Sequence, residues 1–164
     1  FLIKDCSNYY EDIFYKIIYY NMNQHLEFID TLNENSKYVF DQLRTGHSEC
    51  TYQKALAIQL RKLFNGVETE KHIGVMFADS DGISHTIGDE RADIFIHDTA
   101  NEKYYLLELK TTKNMGDEVV CQVNKYIDML KKNHNIDVDE AYAVNFPAPG
   151  ANSIPLDIVI KKVK

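Results

Sequence analysis

The sequence predicts an α/β or α+β fold in which a mixed sheet packs between helices. Three observations predict it. From residue 48 the order of elements reads helix, three or four strands, helix, strand, and meandering strands flanked by helices bury their apolar faces in that arrangement. The strand, helix, strand passage across residues 103–146 makes its two strands parallel, joined by a right-handed crossover. A chain of 164 residues, 45% hydrophobic and 26% charged, suits one domain with a sizeable core.

Residues from about Asn8 to Arg44 read as helical, with Ile13, Ile17 and Tyr20 at helical spacing, then Leu26, Ile29 and Leu32. Breaks are expected at Asn21 and at Asn33-Glu-Asn35. Five of the eleven tyrosines fall in the first twenty residues, which fits an amphipathic packing face. Thr45-Gly46-His47 resets the chain, and Ser48 is a good N-cap for a helix to about Phe64. Glu49, Tyr52, Leu56, Leu60 and Leu63 share one stripe of it. Glu49 thus heads an inward-facing apolar stripe, an odd place for a carboxylate, although the helix dipole favours an acid in the first turn.

Asn65-Gly66 is expected to close this helix. Val67 to Phe77 reads as a strand, Asp79-Ser-Asp-Gly82 as a turn, and Ile83 to Ile87 as a short strand ending before Gly88-Asp-Glu90. A further strand holds Asp93-Ile-Phe-Ile96, and the turn at Asp98-Thr-Ala-Asn-Glu102 returns the chain into Lys103-Tyr-Tyr-Leu-Leu-Glu-Leu-Lys110. After the loop Thr111 to Gly116, Asp117 starts a helix to about Lys132, with Val119, Val123, Tyr126 and Leu130 on its buried stripe. Ala141 to Phe146 is an apolar strand ended by Pro147-Ala-Pro149-Gly150. Pro155 to Val163 gives a last strand with Leu156, Ile158 and Ile160 on one face. No internal repeat is visible.

Composition narrows the function classes. No apolar run approaches the roughly 20 residues that span a bilayer, and the opening residues do not read as a signal peptide, so no membrane partner is expected. Cys6, Cys50 and Cys121 are too few and too far apart for a disulfide framework, a zinc site or an iron–sulfur cluster. An intracellular, reducing setting follows as the expectation, with the compartment open. The chain starts at Phe1 rather than Met and reads as a piece of something longer. A formal charge of −7 argues against tight non-specific nucleic-acid binding, but not against a nuclease, whose metal supplies positive charge.

The chemistry concentrates at residues 93–110. Side chains alternate along a strand, so Glu108 and Lys110 share a face opposite Leu107 and Leu109. The hairpin brings Asp93 onto the neighbouring strand. Two carboxylates and an ammonium at a sheet edge are able to hold a hard divalent cation and a phosphate. A Glu-x-Lys on a strand is also an ordinary solvated face, and Asp93 has Arg91 nearby as an alternative partner.

Asp93 followed after a hairpin by Glu108-Leu-Lys110 resembles the signature of the PD-(D/E)xK nuclease superfamily. Gly46-His-Ser-Glu49-Cys-Thr-Tyr52 resembles the opening segment of its GxxExxY, or PDDEXK_3-type, branch, and Gln53-Lys-Ala-Leu56-Ala-Ile-Gln-Leu60-Arg resembles that branch's first core helix. Gln122-Val-Asn-Lys-Tyr126 resembles the Gln-x-x-x-Tyr helix motif of RecB- and Cas4-like nucleases, and Val144-Asn145-Phe146 the Asn-Phe that closes the last core strand. Ala92 stands where the signature has Pro. The resemblance spans residues 46–150.

It implies a restriction-endonuclease-like αβββαβ core at 46–164 with an extra C-terminal strand, and a helical extension at 1–45 packed on it. It further implies a nuclease that hydrolyses DNA phosphodiester bonds with Mg²⁺ or Mn²⁺. Asp93, Glu108 and the Leu109 carbonyl would be metal ligands, with Glu49 reaching the ion directly or through water. Lys110 would hold the attacking water or the phosphate, and Gln122 would orient Lys110 or a phosphate. Tyr126, Lys113 and Lys125 are candidate substrate contacts. His47, which has a ligand counterpart in RecB-like enzymes, is more simply a loop histidine. Residues 1–45 are a candidate surface for a protein partner or oligomer. The alternative reading is a catalytically idle module that binds nucleic acid or a protein.

Overall fold

The computed structural model describes residues 27–148 and 157–164. The expectations for residues 1–26, including Ile13, Ile17, Tyr20 and Leu26, lie outside the described residues. So does Leu156 of the last strand. By compactness the chain divides into units Phe1–Glu34 and Asn35–Lys164.

Helix α1, Phe28–Leu43, runs unbroken through Asn33-Glu-Asn35, which corrects the break expected there. Asn and Glu cost a helix only a fraction of a kcal/mol each, about 0.7 or less relative to Ala. Helix α2, Glu49–Leu60, starts as the Ser48 cap requires, with the Ser48 hydroxyl accepting from Thr51 N at 3.3 Å. Its buried residues are Tyr52, Gln53, Leu56, Ala57 and Leu60. Leu63 lies beyond the helix and is 42% exposed, so the stripe stops one turn earlier than its periodicity suggests.

Five strands follow: β1 Gly66–Ala78, β2 Ser84–Asp98, β3 Lys103–Lys110, β4 Glu140–Asn145 and β5 Val159–Lys162. They form one mixed sheet in the order β1-β2-β3-β4-β5. Its pairings are antiparallel except for β3 and β4, which run parallel as expected from the helix between them. That helix, α3, spans Asp117–His134 and buries Val119, Val123, Tyr126 and Leu130. It ends at Asn135, whose left-handed φ of 55° lets its N–H cap the helix carbonyls.

Two local readings are corrected. Gly66 does not end a helix; it opens β1 opposite His97, where an added Cβ would sit 2.5 Å from the His97 carbonyl oxygen. Gly88-Asp-Glu90 does not separate two strands either. β2 runs through it, and the irregularity is absorbed by a register shift between Val75 and Met76. Since β3 pairs only with Ile94–Asp98, the rest of the β1–β2 ribbon extends past the third strand.

The core behind α3 gathers Ile73, Phe95, Leu106, Val123, Tyr126 and Leu130 with Ala92, Val138 and Ala141. From α2, Tyr52 stacks on Phe146 with ring centroids 4.4 Å apart and planes within 8°. These contacts anchor α2 and α3 to the same sheet.

Candidate active site

Each element delivers one part of the site. The β2–β3 turn is held by Asp98 Oδ1, which accepts from Ala100 N at 3.1 Å and Asn101 N at 3.4 Å. That turn fixes the register Ile94↔Leu107, and Asp93 and Glu108 are the next residues along each strand. Asp93 Oδ2 accepts the Leu109 N–H at 2.6 Å, tying the two strands together through a side chain.

Glu108 is 3% exposed. Lys110 Nζ donates to its Oε1 at 2.6 Å and lies 3.8 Å from Glu49 Oε1 at the start of α2. The alternation that puts Glu108 and Lys110 on one face therefore brings them into contact, and the inward-facing Glu49 joins them. Asp93 does not pair with Arg91, whose Nε sits 3.5 Å from Asp89.

The electrostatics are those of carboxylates withdrawn from water. Burial, with the nearby Glu108 and Glu49 charges, pushes Asp93 up to about 7, although the Leu109 N–H and Lys110 act against it. Burial also raises Glu108 despite its bond to Lys110. Burial pulls Lys110 down, but the Glu108 bond and the charges of Glu49 and Asp93 outweigh it, so its ammonium is held above the usual lysine value. The site carries more negative charge than its single lysine neutralises.

Glu108 Oε2 tests whether a divalent cation fits. This oxygen is buried and has no hydrogen-bond partner. A buried carboxylate oxygen without a donor is costly, and a cation would relieve it. The available donors are carboxylate and carbonyl oxygens, which suit Mg²⁺ or Mn²⁺ better than softer ions. The fit is one of donor chemistry and charge: among the described residues no three His, Cys, Asp or Glu side chains are already gathered into a ligand cluster.

The remaining expected residues are spread more widely. Gln122 Nε2 donates to Tyr126 Oη at 2.8 Å instead of reaching Lys110. Tyr126 lies in the core behind α3, where burial raises its pKa and the charges of Glu108, Glu90 and Asp93 add to the effect. Lys125 is bound to Glu90 at 2.5 Å, and Lys113 is exposed. His47 contacts the Leu43 carbonyl at 3.1 Å and the edge of Tyr52. The Asn145-Phe146 pair works as scaffold: Asn145 exchanges hydrogen bonds with Thr112 N and O, and Phe146 N donates to Lys110 O at 2.8 Å.

One residue escaped the sequence reading. Gln53, 2% exposed, donates from Nε2 to the Asp93 carbonyl at 2.9 Å, to Asp93 Oδ1 at 3.1 Å and to Glu70 Oε1 at 2.6 Å. The signal available for it was its position four residues after Glu49, which puts a second polar group on the inward side of α2.

The family model described as the PD-(D/E)XK nuclease superfamily matches residues 27–154. Among solved structures, the crystal structure of SSO0001 aligns with a TM-score of 0.46 at 17% identity, over 83% of this chain and 61% of that one. The chain thus spans less than two thirds of that structure's length. No curated protein matches the sequence.

Proposed function

Because the chain belongs to the PD-(D/E)XK nuclease superfamily, we propose that it is a divalent-metal-dependent nuclease acting on DNA through Asp93, Glu108, Lys110 and Glu49. The observation that carries this reading is the buried, partnerless Oε2 of Glu108 beside the Lys110 ammonium. A structural carboxylate would have both oxygens satisfied. A carboxylate that waits for a cation need not.

Asp93 and Glu108 would hold Mg²⁺ or Mn²⁺, with the Leu109 carbonyl and Glu49 as further oxygen donors. When bound, the ion supplies a more acidic water and relieves charge on the phosphate and leaving oxygen. Lys110 orients the attacking water or the phosphate and balances negative charge that grows in the transition state. To do so its ammonium swings from Glu108 Oε1 toward the substrate, a short step for a side chain that stays charged. Glu49, at the mouth of the site, accepts the ammonium or a water as that move is made. The Leu109 N–H keeps Asp93 in place throughout. Gln122, bound to Tyr126, becomes available to a phosphate by exchanging that one hydrogen bond.

Purified protein with Mg²⁺ or Mn²⁺ is expected to cleave at least one of single-stranded, duplex or branched DNA. Lys110→Ala should lower the rate by about 10²–10³ while circular dichroism shows the fold retained, with a lower Tm because Glu108 loses its partner. Failure of wild type to cleave any of the three with either metal overturns the enzyme reading and leaves the idle binding module.

A further inference from the structure

Four non-glycine residues among those described have a left-handed φ: Arg44, Glu70, Glu102 and Asn135. Arg44 and Asn135 follow helices and Glu102 lies in a turn, all ordinary places for it. Glu70, with φ 54°, lies inside β1. At that level the β1–β2 ladder passes from Thr69↔Ile94 to Lys71↔Ala92 and pairs neither Glu70 nor Asp93. The β2–β3 ladder likewise begins only at Ile94↔Leu107. Asp93 therefore has no register partner in either ladder: it faces an interruption on the β1 side and lies just past the end of pairing on the β3 side.

The Gln53 amide sits at that interruption. Its Nε2 meets the Asp93 carbonyl together with Asp93 Oδ1 and Glu70 Oε1. Resting on the metal-site reading above, we propose that Gln53 is the positioning residue for Asp93. The left-handed turn at Glu70 opens the ladder so that an amide from α2 takes the place of a strand neighbour. Strain of this kind persists where the surroundings impose it, and here the imposed feature is a carboxylate held at both oxygens, by Gln53 and by Leu109 N–H.

The chemistry favours an amide at this position. A carboxylate oxygen that accepts one N–H keeps a lone pair for a cation. An amide is neutral, so it orients Asp93 without competing with that cation as a lysine or arginine would. Glu70 accepts from the same Nε2, which pins the amide orientation. A ligand fixed before the ion arrives loses less freedom on binding.

The test is Mn²⁺ titration by calorimetry on the full chain, with Tm and DNA cleavage alongside. Gln53→Met keeps the shape and removes the donor. It is expected to weaken Mn²⁺ binding by about 10- to 100-fold. Cleavage at low Mn²⁺ should fall with that affinity and recover at least in part as Mn²⁺ is raised, since the amide acts through the ligand rather than on the substrate. Should Gln53→Met fail to fold, Glu70 decides the matter, because its side chain is exposed. Glu70→Ala removes the acceptor that pins the amide and should weaken Mn²⁺ binding; Glu70→Gln keeps an acceptor and should restore it. Folded Gln53→Met with wild-type Mn²⁺ affinity overturns the proposal, as do Glu70→Ala and Glu70→Gln variants that bind alike. A wild-type protein that binds no Mn²⁺ overturns the metal-site reading and this inference with it.

Discussion

At Glu108 the proposed metal-binding role and stability pull apart. Its carboxylate is buried, Oε1 accepts from Lys110 while Oε2 has no well-formed hydrogen bond, and burial raises its pKa even beside an ammonium and the Asp93 backbone. Glu108→Gln removes the buried charge and adds a donor at nearly constant shape. We expect this substitution to raise the stability of the metal-free protein by about 1 kcal/mol at pH 8, read by urea denaturation, while abolishing metal-dependent cleavage. A loss of stability would mean that the Lys110 pair, not the orphaned oxygen, dominates there. The alternation rule was enough to place Glu108 beside Lys110, because a strand's period of two is a backbone property. It could not reveal the unpaired Oε2, which depends on what every neighbouring element leaves undone.

At the scale of elements, the strongest local signals held and the failures share a cause. Ser48 capped α2, Asp98 shaped the β2–β3 turn, and the apolar stripe of α3 was buried as its spacing requires. Each depends on residues close in sequence. Gly66 and Gly88 were misread because glycine signals both a chain break and a close approach. Only the neighbouring strand tells which applies, and the 2.5 Å spacing to His97 O decides it for Gly66. The end of α3 offers a test of a correctly local feature. Asn135 holds a φ of 55°, which an alanine adopts at a cost of roughly 1 kcal/mol or more. Asn135→Ala should therefore lower stability by about that amount, and Asn135→Gly should leave it near wild type; equal behaviour of the two would remove the left-handed cap as the explanation.

For the molecule as a whole, the excess carboxylate couples folding to pH and to metal. Asp93 titrates near 7 in the fold and near 3.8 as an unperturbed group, so the folded state binds more protons between those values. Its contribution to stability is fully present below about pH 4 and is lost as pH rises through 7. The Tm of metal-free protein should fall across pH 5 to 8, and Asp93→Asn should flatten the decline. Mn²⁺ binds the ionised form, so it should raise the Tm more at pH 8 than at pH 5.5. Equal stabilisation at both pH values would place the ion elsewhere. Part of the net charge of −7 is gathered at these carboxylates, where a cation would neutralise it.

The sequence by itself determined the element order, the parallel pairing of β3 with β4, the Ser48 cap and the membership of Asp93, Glu108, Lys110 and Glu49 in one neighbourhood. All but the place of Glu49 follow from periodicity, turn chemistry and spacing, which act over a few residues or a single crossover; Glu49 was tied to the others by the family resemblance. Tertiary structure alone decided that Gln122 pairs with Tyr126, that Leu63 stays outside and that Lys125 is bound to Glu90. It alone placed Gln53, forty residues before Asp93 in the chain, in the ladder gap opposite a left-handed Glu70. Long-range hydrogen bonds of that kind depend on where whole elements come to rest, and no local pattern carries their partners.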